Sequence, residues 1–302
     1  MQRFQHLMVC LTRSESDFGL IRYAAMLAGL DTAMEVRFVH VLPAPQSGTP
    51  AHEHDHALQE SERAVGEAFL NVPDNVKVYC DVLKGPLSDR LLGFAAEQEV
   101  DLMLLGHRPD HPPGQGSLVR RLAMQAPCSI WIVPHGSPLS LKRILVPVDF
   151  SEHAADAMRV ATSMATLCGK AECLSLHVYS NEAVLTYEDD DPMLLDVKED
   201  AFEQFIAPID CHAVAVTSMF EEGTNVAHTI HRVAQERNVD LKVMATRGRS
   251  RSATILLGSV TEGVIIEART PVLVVKHFGA RLGVLQVLMD RRFRQGGNPQ
   301  FD

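Results

Sequence analysis

Two glycines with nine residues between them, Gly248 and Gly258, sit in a stretch that also carries Thr246, Arg247, Arg249, Ser250, Arg251 and Ser259. A glycine has no Cβ, so its backbone can come close to a bound group. The hydroxyls offer hydrogen bonds and the guanidinium groups offer positive charge. A short apolar run, 241–244, precedes the stretch, and a helical pattern and a second apolar run, 272–275, follow it. Ser259 and Glu262 have the spacing of a capping box, which predicts a helix starting at Ser259. The amides at a helix start are unpaired and carry partial positive charge, which suits an anion. This is the chemistry of a phosphate cradle. The competing account is an ordinary βα loop with a solvated arginine face, because Gly and Ser are common in such loops.

Composition narrows the setting. A chain of 302 residues is long enough for two ordinary domains, and 46% hydrophobic with 22% charged residues describes a globular protein. Aromatic residues make up 6% with one Trp, too few for a base-stacking surface. A net charge of −10 argues against nucleic acid or an anionic membrane as partner. The six cysteines, Cys10, Cys80, Cys128, Cys168, Cys173 and Cys211, include no C-x-x-C pair and read as reduced core residues. The first apolar run is too short for a signal peptide, and none reaches membrane-spanning length, so a cytoplasmic protein is expected.

The elements that must position the cradle are repeated. A strand at 6–11, a helical pattern at 17–30 and a strand at 36–42 recur as 144–148, 153–167 and a strand ending in His177. An offset of 137 sets Arg159 on Arg22, Ala161 on Ala24, Glu172 on Glu35 and His177 on His40. Asp101 and Asp240 then open DLMLLG and DLKVMA at an offset of 139, and APCSIWIV matches ARTPVLVV at 142. A repeat this long is a duplicated domain. Strands alternating with helices predict α/β architecture: two tandem Rossmann-like, doubly wound domains, each a five-stranded parallel sheet with helices on both faces. The expected divisions are 1–138, 139–277 and a tail, 278–302. In such sheets ligands bind beyond the carboxyl ends of the strands. The final runs, 130–133 and 272–275, are apolar sheet edges and are expected to pair, burying Trp131 at the junction.

These residues resemble the universal stress protein family in its two-domain form. The family pattern is Gly, two residues, Gly, nine residues, Gly and Ser or Thr, then a helix and a final strand ending PVLVV. Here Ala245, Gly248, Gly258, Ser259 and the run 271–275 follow it, with Ala245 in place of the first Gly. PVDFSEHA, 147–154, resembles the family's opening strand with its acidic residue. The resemblance implies stress adaptation and, in some members, an adenine nucleotide. ATP or AMP, with magnesium as companion ion, would meet Asp149 at the ribose and the Val178 backbone at adenine. Ala245, Arg247, Gly248, Arg249, Ser250, Gly258, Ser259 and Val260 would surround the ribose and phosphates. Strands of the equivalent kind pair across dimers in the family, and a tandem chain can pair them internally.

The first half departs from the pattern. Thr12 replaces Asp149, and Pro109 takes the second-Gly position and removes a donor. The loop is shortened and carries Asp110, while Gly106, Gly116 and Ser117 remain. This half is read as a degenerate partner that does not bind ATP. His52, His54 and His56 share one side if extended, and His52 and His56 lie one turn apart if helical; either suits zinc or nickel, and a solvated polar loop competes. The acidic run 188–191 reads as a surface loop. The tail segment 280–293 is amphipathic, with Leu282, Leu285, Leu288 and Met289 on one side, and would pack on its own chain or on a second copy. No general base accompanies the phosphate loop, so at most slow hydrolysis is expected. A nucleotide-free scaffold that contacts a protein partner is the competing function.

Overall fold

Short apolar runs separated by helical segments leave the chain little choice but to lay strands side by side and cover them. The structure, a computed structural model, describes residues 4–14, 16–30, 35–43, 53–70, 72–73, 75–108, 115–169, 171–180, 192–246, 248 and 257–276. The first half runs β1 (His6–Leu11), α1 (Ser16–Gly29), β2 (Glu35–Leu42), α2 (Glu53–Ala68), β3 (Lys77–Lys84), α3 (Leu87–Glu97), β4 (Leu102–His107), α4 (Gln115–Gln125) and β5 (Ser129–Pro134). The second runs β6 (Arg143–Pro147), α5 (Glu152–Leu167), β7 (Glu172–Tyr179), α6 (Pro192–Ile206), β8 (Val216–Glu222), α7 (Val226–Glu236), β9 (Leu241–Ala245), α8 (Ser259–Ile266) and β10 (Val272–Val275).

Within each half all pairs are parallel, in the orders β3-β2-β1-β4-β5 and β8-β7-β6-β9-β10. The halves then join through one antiparallel ladder, with Val272 opposite Ile132, Leu273 opposite Trp131 and Val274 opposite Ile130. The result is one ten-stranded sheet whose order is the same read from either end with the halves exchanged. Two apolar layers follow its faces. One packs α1, α2, α5 and α6; the other packs α3, α4, α7 and α8, and each draws residues from both halves.

The repeat extends to individual hydrogen bonds. The Asp101 carboxylate accepts from the Gln5 and His6 amides, and Asp240 Oδ2 accepts from the Lys142 and Arg143 amides at 2.7 and 2.9 Å. Glu99 and Asn238, each with φ of 49°, end α3 and α7 so that the following Val donates back to an alanine carbonyl at 2.9 Å. His40 and His177 each set Nδ1 against the carbonyl that ends the neighbouring first strand, Leu11 O at 3.1 Å and Val148 O at 2.9 Å. An aspartate that ties the start of one strand to the next thus explains why both DL motifs recur.

Trp131 is 0% exposed and meets Tyr23 edge to face at 5.7 Å. Removing a large aromatic from such a site typically costs about 3–5 kcal/mol. Trp131→Ala is therefore expected to lower the urea midpoint of the whole chain, and native tryptophan emission is expected to be well blue of water-exposed indole. A water-like native spectrum, or a variant as stable as the parent, would contradict the buried junction.

Candidate functional site

Three strand ends, those of β6, β7 and β9, converge beside the start of α8. After β6 the chain turns sharply at Phe150, whose φ of 60° is left-handed. The turn brings Ser151 back to Asp149: its Oγ donates to Oδ1 at 2.6 Å and its amide donates to the same oxygen at 3.1 Å. The same Oγ accepts from the Ala154 amide at 3.2 Å, making Ser151 the N-cap of α5. One hydroxyl thus orients the carboxylate and starts the helix behind it. The Phe150 ring stacks on His177 with centroids 4.4 Å apart, which packs the corner onto β7.

Oδ2 of Asp149 faces Gly248. A Cβ added at Gly248 would stand 2.5 Å from that oxygen, so only glycine lets the loop backbone pass this close to the carboxylate. The loop that follows β9 is tied at its base. Gly258 donates its amide to Thr246 O at 2.8 Å, and Thr261 Oγ1 donates to Ala245 O at 2.9 Å. Ala245 is half-buried at the end of β9, opposite Val275. Val178 is half-buried near the end of β7, its Cγ1 3.4 Å from where a Cβ on Gly223 would stand. Val260 packs partly against the second apolar layer, and Ser259 is exposed. Arg247, Arg249, Ser250 and Arg251 lie outside the described residues.

The capping box expected at Ser259 is not formed. Helix α8 does begin at Ser259, but its N-cap is Gly258, with φ −74° and ψ 148° and no side-chain cap bond. Ser259 is therefore already the first helical residue, and Glu262 turns to Arg120 of α4, with Oε1 2.6 Å from Nε. The cause is the base of the loop: the Gly258 amide is committed to Thr246 O, so no serine hydroxyl is needed there. Among the described residues, no hydrogen bond takes up the first amides of α8. Gly258 is not in a left-handed conformation, so its value lies in lacking a side chain in front of the helix.

The first half builds the same corner with different chemistry. Arg13 repeats the left-handed turn with φ of 59°. Here Asp17, on α1, accepts from the amides of Thr12, Arg13 and Ser14 and from Thr12 Oγ1, with the shortest contact at 2.6 Å. A carboxylate of the chain itself thus fills the amides of the turn. Helix α4 starts at Gln115, so Gly116 and Ser117 fall inside its first turn rather than ahead of it. Pro109 and Asp110 lie outside the described residues. A cavity of about 310 Å³ remains at these strand ends, with Thr12, Asp17, Gly106 and His135 among its walls.

Of the metal candidates, two can be followed. His54 and His56 both lie on α2, not in an extended strand, and two helical residues point roughly 200° apart. His56 Nδ1 lies 3.3 Å from Arg13 Nη2, which also pairs with Glu60. His52, the acidic run 188–191 and the tail segment 280–293 are outside the described residues. Among the described residues no three His, Cys, Asp or Glu groups gather as metal ligands, and all six thiols are free. Sequence reasoning missed Ser151, Thr261 and the turn at Phe150. The Ser-x-x-Ala start of α5 was a readable N-cap signal, whereas the reach of Thr261 to Ala245 had none.

Comparison with known proteins agrees with this geometry. The model of the universal stress protein family matches the chain twice, over residues 3–134 and 140–276. A curated universal stress protein of Methanocaldococcus jannaschii is 30% identical over 157 residues, covering 45% of this chain and 95% of its own length. One from Thermus aquaticus is 32% identical over 140 residues, covering 45% and 98%. The fold is shared across nearly the whole length with a universal stress protein from Archaeoglobus fulgidus (TM-score 0.64, 20% identity, 91% of this chain and 98% of that one). It is shared equally with a functionally unknown protein from Pseudomonas aeruginosa (TM-score 0.70, 18% identity, 95% and 98%). With one such domain on each side of the β5–β10 ladder, the chain belongs to the universal stress protein family as a tandem member.

Proposed function

We propose that the second domain, residues 139–277, binds one adenine nucleotide, ATP or AMP, and that the first, residues 1–138, is its non-binding structural partner. The observation that carries this is the approach of the Gly248 backbone to Asp149 Oδ2 beside the open start of α8. A carboxylate held by Ser151 can accept ribose hydroxyls, and the amides that follow Gly258 can meet phosphate oxygens. The loop between them, tied at Thr246 and Gly258, supplies Arg247, Arg249 and Ser250 from its sequence. In the first domain the turn after β1, which corresponds to the Asp149 corner, has its amides taken by Asp17. The protein acts in stress adaptation by carrying the nucleotide rather than by rapid turnover. Asp149, the carboxylate at this corner, has Oδ1 engaged by the Ser151 hydroxyl and Oδ2 set against Gly248.

Calorimetric titration with ATP is expected to give about one site per chain. Two equal sites, or no heat at millimolar ligand, would count against the assignment, and the second result would favour the nucleotide-free scaffold.

Gly258→Val tests the phosphate end. Because φ at 258 is −74°, valine adds no backbone strain there, and thermal stability should change little. Its side chain would stand before the helix start, so ATP affinity is expected to fall by at least about tenfold, or 1.4 kcal/mol. Unchanged affinity in a folded variant would move the phosphate elsewhere.

A further inference from the structure

At two positions the repeat exchanges apolar residues for basic ones together. The 139-residue offset that aligns Asp101 with Asp240 sets Leu92 on His231 and Met103 on Lys242. In the first half both side chains belong to the apolar layer, with Met103 0% exposed. In the second half Lys242, in the middle of β9, is also 0% exposed. Its Nζ lies 3.1 Å from His231 Nδ1 on α7. The other imidazole nitrogen, Nε2, is buried without a well-formed hydrogen bond among the described residues, and the ring's remaining polar neighbour is the Gly263 backbone of α8. We propose that this His231–Lys242 pair is a proton-responsive element that loosens the packing of α7 on α8 when it takes up a proton.

Lys242 is shut off from water, while His231 is half-buried where α7 meets α8. Gly263 of α8 approaches α7 so closely that a Cβ on it would stand 3.0 Å from Ala227 Cβ, and His231 follows Ala227 by one helical turn. The strands flanking Lys242 present Leu145 and Val272. Of the charged groups that reach the pair, His228 on α7 and Arg269 beyond α8 are both basic. On α8, Glu262 is turned to Arg120 and Glu267 is exposed. Among the described residues an ammonium here is therefore buried with an imidazole as its only hydrogen-bond partner, a costly state. Burial alone brings the Lys242 ammonium down to about 7. Burial, and then the adjacent lysine, push the His231 imidazolium well below its usual range. Neutral, the two groups share one hydrogen bond; singly protonated, the ammonium donates to Nδ1; a second proton would set two cations 3.1 Å apart.

The sign follows from proton counting. Between pH 7 and 10.5 a state that exposes Lys242 binds more protons than the packed state, so packing weakens as pH falls through that window. Below it, His231 extends the loss. Helix α8 carries the strain outward: its Ile266 carbonyl faces His107 Nε2 of the first domain at 3.1 Å, and its start is the phosphate end. Weaker nucleotide binding at acid pH is thus expected, a consequence that rests on the function proposed above.

The test reads the helix first and the ligand second. In the ligand-free full-length chain, intrinsic-rate-corrected hydrogen-exchange protection across α8 is expected to fall about tenfold between pH 8 and 6. Lys242→Met, which restores the first half's residue, should abolish that dependence while keeping the fold. Carbon-13 shifts of the Lys242 ε-carbon should titrate near neutrality. His231→Leu, which leaves the lysine alone, should keep the pH dependence. Equal pH dependence in Lys242→Met, or a lysine that titrates in the ordinary range, would overturn the proposal. A chain that binds no ATP would overturn the nucleotide reading while leaving the exchange result to stand.

Discussion

The antiparallel ladder between β5 and β10 is the constraint from which the rest of the molecule follows. A five-stranded parallel sheet with an apolar last strand has an edge that must be covered, and here the covering strand is its own duplicate. Because the ladder is antiparallel, the halves are related by a rotation that carries one order of strands into the other. The carboxyl ends of the parallel strands then point in opposite senses in the two halves. Each half therefore keeps its own strand-end corner, at opposite edges of the sheet's length. The ladder also unites the apolar layers, so Trp131 and Leu273 share one core and Ile132 and Val272 the other. A defect at the junction is felt in both halves at once.

Duplication frees one copy from the demands on the other. Both halves retain the left-handed turn after the first strand, at Arg13 and Phe150, because the chain must reverse there into α1 or α5. What differs is the source of negative charge. Asp149 is held by Ser151 with its second oxygen toward the Gly248 backbone, whereas Asp17 turns inward and satisfies three amides of its own loop. The same corner thus turns a carboxylate oxygen toward the loop backbone in one copy and binds its own turn amides to a helix carboxylate in the other.

Much of this was legible in residues alone, for definite reasons. Period and offset located the strands, with β1 and β10 at the expected residues, because core positions in a parallel sheet tolerate little but apolar side chains. The pairing of 130–133 with 272–275 was legible because an apolar edge has few stable alternatives. Local chemistry was less so. The Ser259 and Glu262 spacing fits a capping box, yet Glu262 found Arg120, a residue 142 positions away that no short-range pattern reports. His52, His54 and His56 share one side only if extended; the helix found at 53–68 turns His54 away from His56, and His52 lies outside the described residues.

The buried lysine shows what the repeat offers beyond recognition. A single sequence would mark Lys242 only as an oddity within an apolar strand. The first half supplies the comparison, since Leu92 and Met103 demonstrate that the site packs well with two apolar side chains. Two basic groups are therefore not required by the architecture, and burying them is unfavourable relative to that alternative. They also occur as contacting partners, 3.1 Å apart, on the elements that position α8. An accidental polar intrusion needs no partner and has no reason to arise on two elements that meet. The pair instead sits behind α8, the helix whose start lies at the end of β9 beside Gly248 and Asp149.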